Sequence, residues 1–171
     1  MNTDSPVLNR LPRLLDLLRH ELRQYGEMLA LLDQQQEFVM ARSAEEVLRS
    51  VNAINLQMGQ IQTARQERES CQREIAGALR VEGDPEFRNL VPHLPEAYRP
   101  AIEALVRENN ELLVRVQQRA RQNHLLLSRS VELMQRFVSS LLPASPPVTY
   151  TGEGQVRANV PPIQPMYQAV G

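Results

Sequence analysis

Along three long stretches of this chain, apolar residues recur at alternating spacings of four and three, and no other feature constrains the fold as tightly. The first stretch places Leu11, Leu15, Leu18, Leu22, Tyr25, Leu29, Leu32 and Val39 in one series, with Gln36 in the same phase. The second runs Val47, Val51, Ile54, Met58 and Ile61, passes Arg65, Arg68 and Gln72, and resumes at Ile75 and Leu79. The third carries Ile102, Val106, Asn109, Leu113, Val116, Ala120, Asn123, Leu127, Ser130, Met134, Phe137 and Leu141. A repeat averaging about 3.5 residues keeps one face of an α-helix turned inward along its length.

Helices are therefore expected over 9–40, 43–82 and 100–142. Asn9 is the expected N-cap of the first, with Pro12 at its third position, where a missing N–H breaks no helical bond. Ser43 and Glu46 have the spacing of a capping box for the second, and Gly83 marks its end. Only "MARS" separates these two helices, so they must run antiparallel as a hairpin. The stretch "GDPEFRNLVPHLPEAYRP" holds four prolines and reads as an irregular connector over 83–99. There Asp84 before Pro85 signals a short helical turn, and Phe87, Leu90 and Leu94 pack across the bundle end. The third helix is about 60 Å long at about 1.5 Å per residue, longer than its partners can cover. From Pro143 onward prolines cluster and no period survives. The expected fold is all-α: an antiparallel helical hairpin plus a long third helix in a coiled-coil-like bundle over 1–142, then a flexible Pro-rich tail over 143–171.

Aromatic residues make up 4% of the 171 residues, which disfavours a β-sandwich. The net charge of −1 supplies no field for nucleic acid. Every basic residue is arginine. The N-terminus has no signal-peptide pattern, and no apolar run approaches the ~20 residues that span a bilayer, so a soluble cytosolic protein without membrane insertion is expected.

Chemistry is sparse. His20, His93 and His124 fall on different segments without a second ligand at helical spacing, so no metal site is expected. Cys71 lacks a CxxC partner; Arg73 is the nearby charge that would lower its pKa, yet a lone helical cysteine reads as a packing residue. No glycine-rich phosphate loop or nucleophile elbow occurs, and no cofactor or enzymatic activity is expected.

Two features remain. Asn109 and Asn123 sit two heptads apart on the third seam. A seam asparagine fixes helix register, or it lines a groove where a partner completes its hydrogen bonds. Beyond it, Leu125, Leu126, Leu127, Val131, Leu133, Met134, Phe137, Val138 and Leu141 form a stripe wider than one seam. Such a stripe is buried on more than one side: within the chain, against a second copy, or against a client.

The whole layout resembles the FlgN family of flagellar export chaperones. The resemblance rests on "RQNHLLLSRSVELMQ" in the third helix and "YTGEGQ" in the tail, in that order. It implies that the protein binds the C-terminal helical region of hook-associated proteins, keeps them from assembling early, and delivers them to the export gate. It further implies client binding by Asn123, Leu126, Leu127, Val131, Met134, Phe137, Val138 and Leu141. Docking on the cytoplasmic domain of the export gate falls to Tyr150, Gly154 and Gln155. The tail also carries Tyr167, outside the shorter family pattern. The alternative is a self-assembling coiled-coil scaffold, in which a second copy fills the third seam as a homo-oligomer when no client is bound.

Overall fold

A computed structural model describes residues 5–141 except 82 and 84, with side chains from Val7 to Ser140. In chain order it holds α1 (Ser5–Leu8), α2 (Leu11–Met40), α3 (Ala44–Ala78), α4 (Phe87–Leu90), a 3-10 turn (Val91–His93) and α5 (Arg99–Leu141). The fold is all-α, with no strand among the described residues. The chain divides into two units, Met1–Met134 and Gln135–Gly171, and each is taken by itself below.

In the first unit, α2 and α3 run antiparallel. Arg10 meets Glu74 at 3.2 Å, Gln57 donates to the Gln24 side chain at 2.9 Å, and Gln35 donates to Ser50 at 3.2 Å. As one residue number rises, the other falls. One end of the bundle is strongly apolar. Val7, Leu11, Leu14, Leu18, Ile75, Leu90, Leu94 and Ile102 are all buried there in one cluster, drawn from four helices and the connector. Each fully buried leucine contributes about 1.5–3 kcal/mol. Phe87 packs against this cluster and lies under the Arg68 guanidinium, 5.7 Å from the ring centroid.

Local details correct several expectations. The residue preceding α2 as its cap is Arg10 rather than Asn9, and it makes no side-chain capping bond. Its amide instead donates to the Val7 carbonyl, because the preceding turn α1 folds Val7 into the core. Ser43 does cap α3 by position, but no capping-box bond forms. Its amide is taken by the Phe38 carbonyl at 3.0 Å, and Glu46 pairs with Arg49. The connector turn begins at Phe87 with Glu86 at its cap, and Asp84 lies outside the described residues.

The end of α3 comes at Ala78, well before Gly83, and shows why. Arg80 has φ 55°, its amide bonds to Gly77 O, and the Val81 amide bonds to Ala76 O. The end of α2 repeats the pattern: Arg42 has φ 56°, its amide bonds to Val39 O, and the Ser43 amide bonds to Phe38 O. Both are Schellman ends with arginine in the left-handed position that glycine occupies at least strain. Arg42→Gly and Arg80→Gly are each expected to stabilise the fold by about 0.5–1 kcal/mol. Urea unfolding checks this as a raised midpoint at unchanged slope.

The buried seams also differ from the expected ones. In α2, Leu11, Leu18, Tyr25 and Leu32 are buried, but the second column is Leu14, Glu21, Met28 and Gln35, not Leu15, Leu22, Leu29 and Gln36. In α3 the buried column is Ser50, Gln57, Ala64 and Cys71, not Val51, Met58, Arg65 and Gln72, although Gln72 is also buried. Small and amide side chains fill these positions because they let the helices approach while bonding across the seam.

Candidate functional site

α5 lies beside α2 in parallel. The Asn109 amide donates to the Leu18 carbonyl at 3.1 Å, and the Asn123 amide to the Leu32 carbonyl at 2.7 Å. Both bonds span 91 residues of sequence. A constant offset means that the two helices advance together. Near the second bond, Arg119 Nε meets Asp33 at 2.6 Å and its guanidinium also bonds Gln36. The same offset carries Met40, the last residue of α2, to Val131 on α5. From Val131 to Met134 the helix has therefore outrun the hairpin, and every side chain there is exposed.

Ionisable groups buried in the first unit serve packing. Glu21 accepts from Arg68 Nε at 2.8 Å and from the Tyr25 hydroxyl at 2.9 Å. Burial, then the Glu21 charge, pushes the Tyr25 phenol up to about 12, so it remains a donor. Burial also raises the Cys71 thiol; the opposing arginines are Arg13 and Arg10, not Arg73. A cavity of ≈ 80 Å³ lies beside this network, lined by Leu18, Glu21, Tyr25, Phe87 and Asn109 among others. It has room for water and not for a cofactor. Among the described residues, no group of three His, Cys, Asp or Glu side chains is placed to hold a metal ion.

The residues expected to bind a client fall into distinct environments. Asn123 is 1% exposed and turned into the bundle, bonded to Leu32 and, at 3.1 Å, to Gln35 Oε1. Its place is on the α2 backbone, not on an open surface. Leu126 and Leu127 are half-buried beside it. Val131 and Met134 are 55% and 68% exposed. Leu125 and Leu133, absent from the expected contact set, are equally open, and so are Met40 and Leu48 on the hairpin. Leu125 and Leu133 had a signal in the width of the stripe; Met40 and Leu48 had none, since an isolated apolar residue near a turn is common. In the second unit, taken alone, Phe137 and Val138 are exposed on the last turns of α5. The Leu141 side chain, Tyr150, Gly154, Gln155 and Tyr167 lie outside the described residues.

A helical hairpin whose third helix outruns it and carries open apolar side chains has the architecture of a protein-binding module. The chain belongs to the FlgN protein family, whose model matches residues 8–158. This is a family of flagellar export chaperones rather than of enzymes. No curated protein and no solved structure matches the chain. No described helix is long and apolar enough to cross a membrane.

Proposed function

We propose that this protein is a cytosolic chaperone for hook-associated proteins, holding their C-terminal helical region on α5 until delivery to the export gate. The observation that carries this reading is the open apolar face of α5 past the hairpin, where Val131 and Met134, one turn apart, are each more than half exposed. A client helix that normally packs into a polymer is an association hazard in its free state. An amphipathic helix laid on this face covers both surfaces reversibly. Leucine and methionine side chains adapt to clients of differing sequence. Asn123 lies beneath, where its amide sets the register of α5 against α2. Phe137, Val138 and Leu141, in the second unit, are further residues that contact the client.

The tail from Pro143 is the second binding element. Tyr150 docks on the cytoplasmic domain of the gate, offering a large ring with a polar tip at little rotamer loss. Gly154 and Gln155 belong to the same docking element. Tyr150→Ala is expected to leave client affinity unchanged and to weaken gate binding about tenfold or more. Calorimetry with the isolated gate domain tests this, and equal affinity for both proteins would remove Tyr150 from the role. The same apolar face also suits a second copy of the chain; an oligomer that no client dissociates would favour a self-assembling scaffold instead.

A further inference from the structure

The buried residues of the first unit are graded along its length. All fully apolar burial lies at Leu32 or earlier in α1 and α2, at Ala64 or later in α3, and at Val116 or earlier in α5. Toward the hairpin turn, the buried positions are Gln35 and Ser50 on the hairpin and Asn123 on α5. Polar side chains do enter the other half, as Glu21, Gln24, Gln57, Gln72 and Asn109, but there they lie along the same stretch as the buried apolar side chains. Past Val116, α5 is held by Arg119, by the Asn123 amide and by half-buried leucines. The Asn123 Oδ1 atom is buried without a hydrogen-bond partner, as is Asn109 Oδ1, but only beside Asn109 does α5 also bury apolar side chains, Ile102 and Val116, that offset the cost.

Polar layers of this kind set register and contribute little stability, whereas buried apolar area sets the free energy of opening. We propose that Gln117 to Met134 of α5 is a hinged arm that separates from α2 and α3 as one unit about Val116. The arm uncovers the Leu32 carbonyl and the Gln35 side-chain oxygen. The vacated seat therefore fits an amphipathic helix that brings an amide side chain to its seam. Only the source of that helix, a hook-associated client, rests on the chaperone reading; the opening is a property of the free chain.

Hydrogen exchange on the full-length, client-free protein tests the arm. Amides from Gln117 to Met134 are expected to be at least about tenfold less protected than those from Ile102 to Val116, with a shared opening free energy that falls with urea. Equal protection in the two halves overturns the proposal. So does a smooth gradient toward the C-terminus that urea leaves unchanged, which is end fraying. Asn123→Leu replaces the unmet acceptor with apolar burial and is expected to raise protection of the arm to that of the rest of α5, and to slow client association several-fold. A protected arm with client association unchanged overturns the seat. Should this variant fail to fold, Gln35→Leu with Asn123→Leu replaces the layer as a pair and is read in the same way. A wild-type protein that shows the shared opening yet binds no hook-associated client overturns the chaperone reading and leaves the arm standing.

Discussion

Replacing Val131 and Met134 together by glutamate is expected to weaken binding of a hook-associated client about 100-fold or more. Both side chains stand where α5 has passed the end of the hairpin, and both are more than half exposed. An anchor removed from the centre of a contact loses about 2 kcal/mol or more, and a carboxylate in its place must also be desolvated. The fold itself does not use these side chains. Surface replacements of this kind change stability within about ±0.5 kcal/mol, so the melting temperature should move by no more than about 2 °C. Calorimetry of the complex and scanning calorimetry of the free protein read the two effects separately. Affinity held within about threefold of wild type would remove this face from client binding, since a buried anchor is worth more than that. Deletion of the client's C-terminal helix should abolish binding to the wild-type protein, and retained binding would point to a different client surface.

Glu21→Ala is the replacement expected to damage the fold most. Side-chain exposures of 5% for Glu21 and 12% for Arg68 place this ion pair within the bundle. Removing Glu21 leaves the Arg68 guanidinium with Gln72 at 2.7 Å and the half-exposed Glu69 at 3.5 Å but without its buried carboxylate, at a loss of about 3–5 kcal/mol. For a chain of this size that lowers the melting temperature by about 6–20 °C. The Tyr25 hydroxyl loses its acceptor in the same variant, so its pKa should fall from about 12 toward the ordinary 10.0. A phenolate absorbance titration follows this directly. In the wild-type protein the folded pKa is the higher one, so the unfolded chain releases its proton first. The contribution of Tyr25 is complete below pH 10.0 and is lost as pH rises toward about 12. A melting temperature unchanged by Glu21→Ala would show that the pair is solvated and structurally idle.

The three long helices and their order were legible because leucine, isoleucine and valine carry the periodicity openly, whereas the short α1 was not. So was one column of the seams of α2 and α5: Leu11, Leu18, Tyr25 and Leu32, and Ile102, Asn109, Val116 and Asn123. The companion columns were not. Glu21, Gln35, Ser50, Gln57 and Ala64 are buried at spacings of seven or fourteen, yet none announces burial by its chemistry. The neighbouring Leu15, Leu22 and Leu29 supplied a false second column because α2 packs against two helices and its apolar stripe is correspondingly wide. Helix ends were hidden for a related reason: Arg42 and Arg80 take a left-handed conformation that the sequence would lead one to assign to glycine. At the candidate site, the width of the apolar stripe was visible in the sequence. The register was not, because it depends on which α2 carbonyl each asparagine reaches.

The parallel pairing of α2 with α5 also orders the events of folding. Each asparagine bond between them closes a loop of 91 residues, whereas the Gln35–Ser50 bond closes one of 15. Short loops lose less chain entropy on closing, so the hairpin forms early and α5 docks late. On the ribosome the separation is wider, since α2 and α3 are fully synthesised before α5 has been made. A nascent chain therefore passes through an interval in which a finished two-helix template waits, its long third side still wet.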